Sequence, residues 1–112
     1  MKVFRLALPL VLICFHVAHA QRPFTQGMRA FVEYPFSGCR NVDTMNHIVE
    51  LSLENDERAA AKLAIRSGAD CRIFEKGQPV ITEAFRARHS LICIRVSGDP
   101  DCYWYPANYL HH

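Results

Sequence analysis

Four of the five cysteines of this short chain, those that follow its N-terminal segment, constrain its fold more than any other feature of the sequence. Cys39, Cys71, Cys93 and Cys102 follow one another at gaps of 32, 22 and 9 residues, and no C-x-x-C pair is present. These gaps do not fit the common spacings of zinc ligands. In a small exported chain, an even number of cysteines is typical of a disulfide framework, and four cysteines allow three pairings. The sequence therefore predicts two disulfides, provided that the chain is exported.

The N-terminal segment provides the argument for export. Lys2 and Arg5 precede an apolar run that extends from Leu6 to Phe15, and Ala18 and Ala20 occupy the small-residue positions of a cleavage site. The apolar run has about half of the roughly 20 residues that span a bilayer. This pattern is typical of a secretory signal peptide and not of a membrane anchor. We therefore expect the segment to be removed on export.

Cleavage after Ala20 leaves residues 21–112 as one small domain, which we expect to be periplasmic or secreted. A lipid on Cys14 is the alternative, but Ile13 is bulky where lipid attachment needs a small residue. Removal of the signal reduces the 13 basic residues to 11, equal to the 11 acidic residues. A near-neutral domain gives no electrostatic argument for binding nucleic acid or an anionic membrane. We expect neither partner, no membrane span and a monomer.

Two helices are predicted in the first half of the domain. Asp43 can cap the first helix, whose apolar residues recur on one face at helical spacing. These apolar residues are Met45, Ile48 and Val49. Asn55 can cap the second helix, which runs through strong helix formers to Gly68, a residue type common just past a helix end. A connection of about two residues would make the pair a helical hairpin.

The second half of the domain changes to the two-residue period of β-strands. Four short stretches rich in β-branched and aromatic residues are separated by two turns that contain glycine and proline and by one polar loop, residues 86–90. These stretches are residues 71–74, 80–85, 91–96 and 102–105. The lead-in, residues 21–38, has an irregular pattern with one short strand near residues 30–34. We therefore predict an α+β fold in which the helical hairpin is followed by a small antiparallel sheet or half-barrel.

Local geometry favours one cysteine pairing over its rival. Cys39 precedes the first helix and Cys71 follows the second, so an antiparallel hairpin brings them together. Cys93 and Cys102 flank a tight turn between two strands, although they can meet only if the register is offset. We predict the pairs Cys39–Cys71 and Cys93–Cys102. The rival pairing, Cys39–Cys102 with Cys71–Cys93, would instead tie the helices to the sheet.

Residues 74–110 resemble a bacterial SH3-like domain. The segments FEKGQPVIT and LICIRVSGDPDCYW, followed by WYPANYL, are similar to its strands, turns and end. The ending Pro-x-Asn-Tyr of eukaryotic SH3 domains also matches Pro106, Asn108 and Tyr109. The chain departs from the family in its helical first half and at Tyr103, where the family has a glycine before its tryptophan. The resemblance implies a barrel-like SH3-like sheet and a protein or cell-wall glycan as ligand.

Tyrosines near the C-terminus are the first candidate binding residues. Alternate residues of a strand face opposite ways, so Tyr103 and Tyr105 share one face and Trp104 takes the other. A large indole favours the core, which leaves the tyrosines, with Tyr109, on a partly wet face. There they could stack on a sugar or on a proline-rich peptide. The alternative, which the general burial of aromatic side chains favours, is that these rings pack inside the protein.

A basic loop provides the second candidate. Arg86, Arg88 and His89 lie close together between two predicted strands. Guanidinium groups bind carboxylate or phosphate through paired hydrogen bonds, so the loop could contact an anion. Charged residues are mostly exposed, however, and a solvated loop is the favoured alternative. We retain Arg86 and Arg88 as candidate binding residues.

The sequence does not contain the spacings of common catalytic motifs. Its serines form no nucleophile-elbow motif and its glycines form no phosphate-binding loop. Disulfide pairing would leave no thiolate for a Cys/His nucleophile. His111 and His112 are either an adventitious metal-binding pair or part of a tag. We predict a protein that is not an enzyme and that has no catalytic residue, metal site or cofactor.

These observations favour an exported binding module whose partner is a protein or a cell-wall glycan. A secreted inhibitor or effector that docks on another protein, through loops held by the disulfides, is the alternative. Sedimentation with purified cell wall separates the two hypotheses, because only a glycan-binding module sediments.

Overall fold

Two short helices and a seven-stranded antiparallel sheet make up residues 24–112, the part of the chain that the computed structural model describes. The helices are α1 (Val42–Leu53) and α2 (Glu57–Arg66). The strands are β1 (Met28–Val32), β2 (Phe36–Cys39), β3 (Cys71–Phe74), β4 (Pro79–Ala87), β5 (Leu91–Arg95), β6 (Tyr103–Pro106) and β7 (Leu110–His111). The fold class is therefore α+β, as predicted. The export signal, its cleavage after Ala20 and the lipid alternative at Cys14 lie outside the described residues.

The predicted order of helices followed by sheet is wrong, because two strands precede α1. β1 pairs with β4 and β7, and β2 pairs with β3 and β6. Most of these partners come from distant parts of the chain. The one strand predicted near residues 30–34 corresponds to β1, whereas β2 was not predicted, because long-range pairing sets an extended conformation that its local sequence does not reveal. The helices are an insertion between β2 and β3, which lie side by side.

The four strands predicted after residue 70 are all present, as β3 to β6. Two of the three connections between them contain a glycine, Gly77 or Gly98, with φ of 87° or 90°, a region that favours glycine. β4 is longer than predicted and shifts register between Thr82 and Arg86. Such an irregularity lets a long strand bend.

The sheet curls around a core of its own. In the order β3-β2-β6-β5-β4-β1-β7, the strands β3 and β7 form the two edges. Phe74 of β3 and Leu110 of β7 nevertheless belong to one buried cluster. The other buried members are Ala30, Val32, Val80, Ile92, Ile94, Tyr103 and Tyr105. Because opposite edges contribute to the same cluster, the sheet face away from the helices is an interior and not a wet surface.

The helices cover the other face of the sheet. The three apolar residues predicted to share a face of α1 are all buried, and they form a second cluster with Cys39 and Leu91 of the sheet. Ala60 and Ala64 of α2 complete this cluster at 4% and 8% exposure, and their small side chains let α2 pack closely. Within residues 24–112, no helix combines the length and the hydropathy needed to cross a membrane.

Both helices begin beside the predicted caps and not at them. Asn41 caps α1, since its side-chain oxygen accepts hydrogen bonds from the N–H groups of Asp43 and Thr44 at 2.9 and 3.1 Å. Asp56 caps α2 by accepting from the N–H of Ala59 at 3.2 Å. Asn55 has φ of 62° and forms part of the turn between the helices. The predicted pair of adjacent helices is therefore present, with each cap one or two residues away.

The predicted disulfide pairing, Cys39–Cys71 with Cys93–Cys102, is confirmed. Cys39 and Cys71 are directly opposed in the β2–β3 pair, with their Cα atoms 4.0 Å apart. The bridge therefore joins two strands and not two helix ends. In the β5–β6 pair, Cys93 is opposed to Trp104, and Cys102 precedes Trp104 by two residues. This is the offset in register that the Cys93–Cys102 disulfide was expected to need. Two disulfides are consistent with an oxidising extracellular compartment.

The buried phenol of Tyr105 leads to an expected loss of stability at alkaline pH. Tyr105 is 0% exposed, and its Oη donates a hydrogen bond to the carbonyl oxygen of Tyr34. Burial, and to a lesser extent the neighbouring Tyr109, raise the pKa of Tyr105. The folded protein therefore keeps a proton that the unfolded chain releases above a pH of about 10. This contribution to stability is complete below that pH and decreases as the pH rises above it.

Tyr105→Phe should accordingly reduce the pH dependence of the free energy of unfolding above a pH of about 10. The same substitution should lower that free energy by about 1–2 kcal/mol at neutral pH, because the carbonyl oxygen of Tyr34 loses its donor. Urea denaturation at a series of pH values measures both effects. Tyr34→Phe, at a side chain that is 62% exposed, is the matched control. A pH dependence that is the same in Tyr105→Phe and in the unaltered protein would contradict this account.

Candidate functional site

The structure corrects the expected exposure of two tyrosines. The residues of β6 alternate as predicted, with Tyr103 and Tyr105 on one face and Trp104 on the other. Tyr103 is only 7% exposed and Tyr105 is 0% exposed, and both rings meet Phe74 edge-on. The wet-face interpretation is wrong for these two residues, because the curl of the sheet turns that face inward. The favoured alternative, packing inside the protein, is confirmed for them. Their rings pack in the core, while Trp104 is half-buried against the helices.

Tyr109 differs from these two tyrosines because it lines an open groove, which we call the aromatic groove. The 3₁₀ turn Ala107–Tyr109, between β6 and β7, positions its side chain. The groove has a volume of about 330 Å³ and lies between this turn, the end of α1 and the turn that precedes β5. Its lining includes Phe36, Leu53, His89, Pro106, Asn108 and Tyr109.

Tyr34 extends the aromatic surface beside the groove. Its ring stacks on that of Tyr109 with centroids 5.0 Å apart, and Phe36 meets Tyr109 edge-on at 5.4 Å. The N–H groups of Glu33 and Tyr34 donate to the carbonyl oxygen of Tyr109 at 2.8 and 3.2 Å. From the core side, Tyr105 donates to the carbonyl oxygen of Tyr34. Hydrogen bonds therefore fix the backbone of Tyr34, although its side chain is 62% exposed.

Leu53 adds an exposed aliphatic side chain to the aromatic groove. It lies one turn after Val49, on the apolar face of α1, and it is 69% exposed. The apolar face of α1 therefore continues beyond the core, and its last side chain lines the groove. Large apolar side chains that are exposed together are typical of an interaction site.

The rim of the aromatic groove next to β5 has a strained backbone. His89 and Ser90 have φ of 59° and 57°, a conformation that costs residues other than glycine about 1–2 kcal/mol. Strain of this kind concentrates at functional sites. His89 Nε2 lies 3.3 Å from Glu50 Oε2, and Arg88 Nη2 lies 3.6 Å from the same oxygen. Glu50 therefore connects this rim to α1.

The structure gives the two candidate arginines separate partners. Arg86 Nη2 donates to the carbonyl oxygen of Phe24 at 2.7 Å. Arg88 is paired with Glu50, and its side chain is 74% exposed. One guanidinium therefore contacts the lead-in and the other contacts α1, so the two are not arranged around a common anion. Arg88 therefore fits the alternative of a solvated loop better than it fits an anion-binding site.

Within residues 24–112, no three histidine, cysteine or acidic side chains come together as metal ligands would. All four cysteines of this range are in disulfides. His111 stacks on Phe31 at 5.6 Å, and His112 stacks on Phe24 at 4.5 Å, so both terminal histidines pack against phenyl rings.

The sequence predictions did not include Tyr34, Phe36 and Leu53. A signal for the first two is the similarity between EYPF in the lead-in and WYPANY near the C-terminus, both of which place aromatic residues around a proline. These two segments meet in the structure, where Tyr34 stacks on Tyr109. Leu53 has no comparable signal, because helical periodicity predicts a buried residue at its position.

Comparison with known proteins does not identify the chain. No protein-family model, curated protein or solved structure matches it. The geometry of the aromatic groove is therefore the basis for inferring its function.

Proposed function

We propose that this protein is an exported, non-catalytic binding module that holds an extended segment of a partner protein in the aromatic groove. The observation that carries the proposal is the stacked pair Tyr34 and Tyr109 beside the exposed Leu53. Aromatic rings supply a large contact area. Groups that are fixed before binding lose little conformational entropy when the ligand arrives. The exposed ring of Tyr34, on a backbone that hydrogen bonds already fix and stacked on the half-buried ring of Tyr109, is therefore well suited to binding.

A protein segment suits this groove better than a glycan does. Sugar hydroxyls need hydrogen-bond partners when they are buried. Three polar side chains of the lining already have partners, since Ser52 Oγ donates to Glu57 at 2.9 Å and His89 is paired with Glu50. Much of the remaining lining is apolar, which favours proline or other apolar side chains of a peptide.

The resemblance to a bacterial SH3-like domain supports the same proposal. Pro106, Asn108 and Tyr109, which match the SH3 ending, all line the aromatic groove. The strand order also favours a barrel-like sheet, since β4, β5 and β6 are consecutive neighbours and β7 returns to pair with β1. A shared fold does not establish a shared ligand. The groove, and not the resemblance, is therefore the basis for the binding role.

A secreted inhibitor or effector is the second candidate. The observation that favours it is the side chain of Arg88, which is 74% exposed beside the strained residues His89 and Ser90. A strained, exposed turn on a disulfide-linked scaffold is a suitable contact for another protein. In either role we propose that the protein acts in the periplasm or after secretion, which the two disulfides support.

Tyr34→Ala should remove most of the binding and preserve the fold. Random peptides displayed on phage are selected against the immobilised exported protein, and the affinity of each clone is then measured. We expect clones whose affinity falls by about tenfold or more in Tyr34→Ala, because an aromatic anchor of an interface contributes about 2 kcal/mol or more. Lys62→Ala is the matched control, since Lys62 is exposed and lies outside the lining of the groove.

Sedimentation with purified cell wall tests the glycan alternative in parallel. Our proposal predicts that the protein stays in solution. If it sediments, and Tyr34→Ala abolishes this, the ligand is a glycan and the protein partner is rejected. If every selected clone binds Tyr34→Ala as tightly as the unaltered protein, the aromatic groove is not the binding site.

A further inference from the structure

β3 presents hydrogen-bonding groups at an edge of the sheet. It pairs with β2 on one side, and within residues 24–112 no strand pairs with its other side. Opposed residues of an antiparallel pair alternate between exchanging hydrogen bonds and not exchanging them. The N–H of Arg40 donates to the carbonyl oxygen of Asp70 at 2.8 Å, one position before β3 begins at Cys71. The backbone N–H and C=O groups of Asp70 therefore point toward β2, and by alternation those of Arg72 do so too.

The backbone groups of Cys71 and Ile73 consequently point away from β2. The N–H of Cys71 already donates to the carbonyl oxygen of Gly68. Ile73 is therefore the residue of β3 that is placed both to donate to an added strand and to accept from it. Strand edges with such groups bind extended segments through main-chain hydrogen bonds.

An apolar trough lies beside this edge, between β3 and α2. Its volume is about 310 Å³, and its lining includes Ala64, Ile65, Cys71 and Ile73. Ile65 is 79% exposed and Ile73 is 60% exposed. Side chains of a strand alternate between faces, so Ile73 lies on the helix side of the sheet and Phe74 lies in the core of the sheet. Every second side chain of a strand added to β3 would therefore meet the trough.

The charge around this edge indicates which segment fits it. Residues 57–76, which include α2 and β3, contain five basic and three acidic residues. The other described residues contain five basic and eight acidic residues. Residues 57–76 are therefore the net-positive part of the described chain, and Asp99 offsets one of their charges, because its Oδ2 lies 3.8 Å from Nη1 of Arg72. Two copies joined through β3 would bring like charges together, which disfavours a second copy of this chain as the occupant.

We propose that β3 binds an extended segment of a partner protein in which apolar and acidic residues alternate. The segment continues the sheet through main-chain hydrogen bonds to Ile73. Its apolar side chains contact Ile65 and Ile73 in the trough. Its acidic side chains lie on the opposite face near Arg72, whose guanidinium covers the ring of Phe74, and they replace or share its pairing with Asp99 at 3.8 Å. The proposal does not rest on the aromatic groove, whose lining shares none of these residues.

Two synthetic peptides test the proposal on the exported protein. One alternates valine with aspartate, and its control alternates valine with lysine. We expect the aspartate peptide to bind more tightly than the control by about tenfold or more. Hydrogen exchange measured residue by residue should show that binding protects the amide of Ile73. The amides of β7, at the other edge of the sheet, should be unchanged.

Two variants localise the binding. Ile73→Pro removes the outward N–H and should weaken binding of the aspartate peptide by about tenfold or more. Proline is tolerated in an edge strand where its nitrogen faces away from the sheet, and circular dichroism checks that the fold is retained. Ile65→Ala changes only an exposed side chain, so it tests the trough even if Ile73→Pro unfolds the protein. It should weaken binding several-fold, whereas Tyr34→Ala should not change it.

Equal binding of the two peptides, protection of β7 in place of β3, or a dimer joined through β3 would each overturn the proposal. Unchanged affinity in both Ile73→Pro and Ile65→Ala would do the same. If Tyr34→Ala removes the binding, the peptide occupies the aromatic groove and the β3 site is rejected. The two binding proposals therefore fail independently of each other.

Discussion

Replacing both cysteines of the Cys39–Cys71 disulfide with alanine should lower the free energy of unfolding by about 3–4 kcal/mol. The two residues are 32 positions apart, and the segment between them contains both helices. The crosslink restricts this long segment in the unfolded chain, so its removal increases the entropy of the unfolded state. Urea denaturation of the double variant and of the unaltered protein, both under non-reducing conditions, measures the difference.

The second disulfide is the matched control for this measurement. Cys93 and Cys102 are only 9 positions apart. The same chain-entropy argument gives about 2–3 kcal/mol for its removal. A larger loss of stability from the Cys93/Cys102 double variant than from the Cys39/Cys71 double variant would contradict the argument.

Phe74→Ala should also have a large effect on stability, about 3–5 kcal/mol. Phe74 is 0% exposed, and its ring meets Tyr103 and Tyr105 edge-on at centroid distances of 5.8 and 5.4 Å. Truncation leaves a cavity in the core that the curled sheet encloses. It also removes the packing of β3, at one edge, against Tyr103 and Tyr105 of β6, in the middle of the sheet. Thermal and urea denaturation of the variant measure the loss.

Gly38 provides a second test of the same contact. A Cβ atom added at Gly38 would lie 2.8 Å from Cε2 of Phe74 and 3.3 Å from the carbonyl oxygen of Trp104. Gly38→Ala should therefore cost about 1–3 kcal/mol in the unaltered protein, because the ring of Phe74 has to move. It should cost less in the Phe74→Ala background, where that ring is absent. If the losses in the free energy of unfolding from the two substitutions simply add, the ring of Phe74 is not the reason that residue 38 must be glycine.

The parts of the fold that depend on local pattern were predictable from the sequence. The helices follow from apolar spacing, and β3 to β6 follow from β-branched runs bounded by glycine and proline turns. β2 was missed because its sequence, FSGC, is extended only through pairing with β3 and β6. The pairing of Cys39 with Cys71 was predicted correctly, although the structural reason is a strand pair and not the ends of a helical hairpin.

The candidate site was less predictable, because exposure depends on how the whole sheet curls. Alternation correctly separates Tyr103 and Tyr105 from Trp104, but it cannot show which face of β6 is wet. Phe74 and Leu110, from opposite edges, close over the face that holds the two tyrosines. The stacking of Tyr34 on Tyr109 joins residues 75 positions apart in the chain, a contact that no local pattern contains.

Amide chemical-shift mapping tests most directly whether the aromatic groove is the binding site. A phage-selected peptide that is sensitive to Tyr34→Ala is added to the isotope-labelled exported protein. We expect the largest shift changes at Tyr34, Leu53, Asn108 and Tyr109, and we expect them to disappear in Tyr34→Ala. Changes centred on β3 and α2, or on the loop that contains Arg88, with little change at the groove residues, would contradict the proposed site.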